Sequence, residues 1–127
     1  VICHPLADPF ILSSSDETNF QLSNGNDGFA LVSGTDTNYT VLDWLGDFNG
    51  DPGIGWDVAG IENATQDHTL IRKCQITQGN PSWVSSAGTD SLNSEWLVRD
   101  MNNWNDLANH NFPCAPILGC TDIHALN

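Results

Sequence analysis

Turn-forming residues interrupt this chain so often that no long helix can be laid across it. "NGNDG" at 24–28, "SGTD" at 33–36, "GDFNGDPGIG" at 46–55, "QGNPS" at 78–82 and "AGTD" at 87–90 leave only short apolar runs between them. Short runs at this spacing, bounded by Gly, Asn, Asp and Pro, are the pattern of an all-β fold. The expected strands are Val1 to Cys3, Phe29 to Val32, Tyr39 to Leu45, Thr69 to Cys74 and Glu95 to Val98, most of them rich in β-branched or aromatic residues. In the Tyr39 strand, Tyr39, Val41 and Asp43 should share one face while Thr40, Leu42 and Trp44 share the other. "DPFILSSSDE" and "NNWNDLAN" have room for a helical turn or two at most.

The 127 residues suit one domain with a core of its own. Five Trp and five Phe are the large side chains expected to fill it. Sixteen acidic residues against Arg72, Lys73 and Arg99 give a formal charge of -13. Such a charge repels phosphate backbones and anionic lipid, which argues against nucleic acid and membrane surfaces as partners. No apolar stretch approaches the length of a membrane span.

Four cysteines, Cys3, Cys74, Cys114 and Cys120, lack the paired C-x-x-C spacing of a zinc site, so disulfides are the better reading. Cys3 and Cys74 both fall in expected strands and are the pair a bridge could join, closing a loop worth about 4 kcal/mol on the chain-entropy model. Cys114 and Cys120 are left to pair locally or with sequence beyond the chain. Two glycosylation sequons, at Asn38 and Asn63, agree with an extracellular or cell-surface setting, whereas Asn80-Pro81-Ser82 is excluded by its proline.

"LIRKC", "GNPSW", "SAGT" and "SEW" in this order, preceded by "NGNDGFALV", "VLDWLGDF" and "GDPGIGWDVAG", resemble the lamin-tail domain in its bacterial and extracellular form, over roughly residues 1–113. The resemblance implies an immunoglobulin-like β-sandwich serving as a non-catalytic module of a larger protein. It also implies a departure: the family's opening strands have no counterpart before "VICH", so the sandwich is expected to be incomplete on that side. Residues 114–127 read as an extended linker, and "GCTDIHALN" resembles the start of a short cysteine-bearing repeat found between extracellular modules. The chain therefore reads as a window from a longer modular polypeptide or as one protomer of a repeating assembly.

Asp47, Asn49 and Asp51 alternate as the first ligands of a calcium loop do, but Pro52 stands where an EF-hand needs Gly and Val58 where it needs Glu. The stretch remains a calcium candidate only in part, and its plainer reading is a turn. His4, His68, His110 and His124 are scattered, with no i, i+4 metal pair, and no G-x-S-x-G elbow accompanies the serines. Arg72 and Lys73 read either as an anchor for an acidic partner or, more simply, as structural ion-pair donors among sixteen carboxylates.

Trp44 and Trp96 are expected in the core, whereas Trp56, Trp83 and Trp104 lie beside turns and are candidates for stacking on sugar rings. The functional expectation is a non-enzymatic extracellular structural module that links or assembles a surface or fibrous protein, with no resident cofactor. Strand exchange between copies would use the Val1 edge and a tail anchored by Ile117, Leu118 and Ile123. The alternative is a glycan-binding adhesion module.

Overall fold

A computed structural model of the chain describes residues 1–22, 24–110 and 114. In chain order it comprises β1 (Ile2–Cys3), α1 (Pro9–Ser13), β2 (Glu17–Thr18), β3 (Phe29–Gly34), β4 (Tyr39–Leu45), β5 (His68–Arg72), α2 (Trp83–Ala87) and β6 (Trp96–Asp100). Regular structure is mostly strand, with few and short helices. Among the described residues the strands form three two-stranded sheets: β1 with β2 in parallel, β3 with β4 antiparallel and β5 with β6 antiparallel.

Local chemistry accounts for the elements. Pro9 opens α1 and the Asp8 carboxylate accepts the Phe10 amide at 2.8 Å, a capped start. Ser13 and Ser14 then turn their hydroxyls back onto the Phe10 carbonyl, and the helix stops. Helix α2 was not foreseen, because five residues leave no room for a helical period. Its signals are nonetheless in the sequence: the Ser82 hydroxyl accepts the Ser85 amide, and Gly88 closes the far end at φ 65. A Cβ at Gly88 would fall 2.6 Å from the Ser94 backbone, so glycine is required by space as well as by φ. The second expected helical stretch, "NNWNDLAN", forms turns instead, with Asn102 and Ala108 both at positive φ.

The expected alternation of faces in β4 is broken. Leu31 pairs with Asp43 and Val32 with Val41, so Leu42 has no opposite number and forms a bulge. An extra residue of this kind ends strict period-two alternation and bends the strand.

The core is small and built from tryptophan. Val58, Ala64, Trp83 and Ala87 are buried, and Trp44, Leu45, Trp56, Leu70, Trp96 and Val98 pack around them. Trp83 meets Trp56 edge-on and Trp96 at a tilt, with ring centroids 6.3 Å apart in both pairs. The expectation that phenylalanines share this core is not met. Phe10, Phe20, Phe29 and Phe48 are all exposed, Phe20 to 76%, because they sit in a short helix, in turns or at a strand end. Phe112 lies outside the described residues.

The Cys3–Cys74 bridge is overturned. Cys74 is bonded to Cys114, with Cα atoms 4.9 Å apart, while Cys3 is buried and unbridged. Both Cys3 and Cys74 lie in or beside strands, but among the described residues β1 pairs with β2 and β5 with β6, so no shared ladder brings the two together. Cys120 lies outside the described residues. The Val1 edge is also less bare than expected, since the Val1 carbonyl accepts the amides of Asp16 and Glu17 as β2 comes alongside.

Candidate functional site

The charged centre of the molecule is Arg72, the last residue of β5, whose side chain reaches between strands and α2. Its guanidinium pairs with the Asp43 carboxylate of β4, donates to the Ser86 hydroxyl of α2 at 2.8 Å and lies 3.2 Å from Glu95 Oε2. It also sits over the Trp96 ring, 4.3 Å from the centroid, in a cation–π contact. The partners are themselves joined. Asp43 Oδ1 accepts the Asn80 amide at 3.0 Å, Glu95 Oε1 accepts Asn80 Nδ2 at 2.8 Å, and the Trp96 indole N–H donates to Ser86 Oγ at 2.8 Å. Within the cluster Glu95 Oε2 is the exception among the described residues: it is buried without a hydrogen-bond donor and has only its ion contact with Arg72. Of the two readings of Arg72, the structural ion pair is the one found.

Lys73 is buried and, among the described residues, makes no ion pair. Its ammonium donates to the Ser91 carbonyl at 2.8 Å and to the Ser94 carbonyl, holding the 90–94 loop to the end of β5. Within that loop Asp90 Oδ1 accepts the Leu92 amide at 2.7 Å and the Asn93 amide at 2.9 Å. Hydrogen bonds from the Asn93 and Leu92 amides to the charged form hold the Asp90 carboxyl below the ordinary carboxylate range.

On the other side of β5 the turns at 103–110 enclose a cavity of about 330 Å³, with Leu70 and Ile71 as its floor and Trp104 and Leu107 in its wall. A second depression of about 230 Å³ shares Ile71, Asp106 and His110 with it and adds Arg99. His110 anchors the enclosing segment by donating from Nε2 to the Arg72 carbonyl at 2.9 Å, since a carbonyl can only accept. Four residues on, the Cys74–Cys114 disulfide ties the chain to the end of β5. Trp104 is half-buried, with Phe10 stacked against it at 5.8 Å and 14°.

The sequence candidates are thus dispersed. Trp83 is 6% exposed in the core and has no open face for a sugar, a correction that follows from its place at the buried start of α2. Trp56 packs against Trp83, and its Nε1 is buried without an acceptor; a Cβ at Gly46, where φ is 78, would come within 2.6 Å of that nitrogen. Trp104 lines the cavity beside β5, whereas Trp56 and Trp83 border a separate depression of about 360 Å³ with Pro52, Val84 and Thr89. Asp47 and Asp51 cap their own turns, accepting the amides of Asn49 and Gly53 at 2.8 Å each. Among the described residues no three His, Cys, Asp or Glu side chains gather as a metal site.

Asn38 is exposed in the β3–β4 connection, and Asn63 is half-buried at φ 52 with its sequon Thr65 hydroxyl donating to the Gly25 carbonyl. His4 and His68 each close a local turn through Nδ1. Ile117, Leu118, Ile123 and His124 lie outside the described residues. Sequence reading missed the cavity group of Asn103, Asp106 and Asn109. The run of amide and acid residues around Trp104 was its only signal. No family model, curated protein or solved structure matches this chain.

Proposed function

We propose that this chain is an extracellular, non-enzymatic structural module, an immunoglobulin-like sandwich of the lamin-tail kind, that links neighbouring copies or adjoining modules of a surface or fibrous protein by strand addition. The observation that carries this reading is β3. Among the described residues it is hydrogen-bonded only to β4, and its Leu31 and Val32 are 65% and 41% exposed. An apolar strand with one unpaired edge is a template for a strand from another module. Packing of β3–β4 and β5–β6 on one tryptophan core supports the sandwich, and the Cys74–Cys114 bridge supports an oxidising compartment. The charged centre, in which Arg72 is ion-paired with both Asp43 and Glu95, suits a scaffold.

Sedimentation velocity over a range of concentrations tests the proposal, with Leu31→Lys and Val32→Lys as edge-blocking variants. Reversible association that both variants abolish is expected. A wild-type chain that stays monomeric at the highest concentration would overturn it.

A further inference from the structure

We propose that the cavity between β5 and the 103–110 turns is a binding site for a neutral saccharide residue. Its rim contrasts with the charged clusters described above. In the Arg72 cluster, the Lys73 loop and the Asp47 and Asp51 turns the principal polar side chains are hydrogen-bonded within the chain. At the cavity, the side chains of Asn103, Asp106 and Asn109 make no hydrogen bond or ion pair to another described residue, and the same is true of Arg99 in the adjoining depression. These groups surround an aromatic and aliphatic interior of Trp104, Leu70 and Leu107. A hexose presents the same division, with an apolar C–H face and a rim of hydroxyls that both donate and accept. Amides and a carboxylate beside an aromatic wall complement it.

The volume of about 330 Å³ lies at the low end of small-molecule sites, enough for a single ring and short of an extended chain. His110 adds an acceptor, because donation from Nε2 to the Arg72 carbonyl leaves Nδ1 unprotonated in the neutral ring. Charge selects among sugars. A formal charge of -13 together with Asp106 in the wall disfavours uronic and sialic acids, whereas a neutral ring meets no such field. Phe10 occupies one face of Trp104, which fixes the indole in place before any ligand arrives.

Saturation-transfer-difference NMR on the oxidised full chain tests this, using the methyl glycosides of glucose, galactose, mannose and N-acetylglucosamine, with glucuronic acid as the charged comparison. At least one neutral glycoside is expected to bind at millimolar concentration, with transfer strongest at its C–H face. Trp104→Ala should weaken it by about 10-fold, and Asp106→Asn and Asn103→Ala by about 5-fold each, as lost single contacts of this size do. The two rim variants keep the test decisive if Trp104→Ala does not fold. Absence of transfer from every neutral glycoside, preference for glucuronic acid, or binding indifferent to both rim variants would overturn the proposal.

Discussion

Arg72 and Trp96 face each other as register partners of β5 and β6, stack guanidinium on indole at 4.3 Å, and both donate to the single hydroxyl of Ser86. One hydroxyl oxygen thus receives two donors from two strands and ties both to α2. Such an arrangement makes the three residues interdependent, since loss of the acceptor removes a partner from two half-buried donors at once.

Replacing Ser86 by Ala should therefore cost more than an ordinary hydroxyl deletion. The Trp96 indole N–H is left without an acceptor, whereas Arg72 keeps its contacts with Asp43 and Glu95, so the expected loss is about 1–3 kcal/mol for the one group left unsatisfied plus a smaller part for the hydrogen bond Arg72 loses. Urea unfolding followed by tryptophan fluorescence checks this, and a midpoint unchanged from wild type would refute it.

Arg72→Met should destabilise more strongly, because Asp43 and Glu95 would keep their charges without a counterion. Breaking a buried pair costs about 3–5 kcal/mol, and the 30% exposure of the Asp43 side chain places this one toward the lower figure. Arg72→Lys should recover only part of the loss, since an ammonium cannot serve Asp43, Ser86 and the indole face together. The same urea midpoints, compared across both variants, decide the order.

Non-reducing peptide mapping should recover Cys74 joined to Cys114 and Cys3 unmodified by thiol reagents until the chain unfolds. Paired replacement of Cys74 and Cys114 by Ser should lower stability by up to about 4 kcal/mol, the chain-entropy value for a loop of this length. A Cys3–Cys74 peptide would contradict the structure.

Stability should fall in acid in part through Asp90. Its carboxyl is held below the ordinary range in the folded chain, so the unfolded chain takes up that proton more readily. The contribution is complete above the unfolded carboxylate pKa and is lost as pH falls through the folded value. Asp90→Asn should lower the neutral plateau and flatten the acid limb, so that the two stability curves converge in acid, as read by thermal melts over roughly the pH 2–7 window in which carboxylates titrate.

Intact mass before and after amidase treatment should show N-linked glycan at Asn38 in material from a glycosylating host, since that residue is exposed in a hairpin connection. Asn63 should be modified at lower occupancy, because its sequon Thr65 hydroxyl is already bonded to the Gly25 carbonyl. Equal occupancy at both would count against that distinction.

Strand existence was legible in the chain because it is a local property. Turn formers bound each run, and β-branched and aromatic content filled it, so β3, β4, β5 and β6 appear within a few residues of their expected positions. Pairing was not local. Whether Cys74 meets Cys3 or Cys114, whether Trp83 faces solvent or Trp56, and whether Leu42 has a partner across the sheet all depend on which elements become neighbours. The cavity at Trp104 arises in the same way, from turns 103–110 folding back onto β5 under the His110–Arg72 hydrogen bond and the disulfide just beyond it. Sequence by itself determined the charge, the turns and the short strands, because each follows from residues adjacent in the chain. The tertiary structure alone decided the role of Arg72: its partners Asp43, Ser86 and Glu95 are 29, 14 and 23 positions away by their numbers, and only packing brings their carboxylates and hydroxyl to one guanidinium.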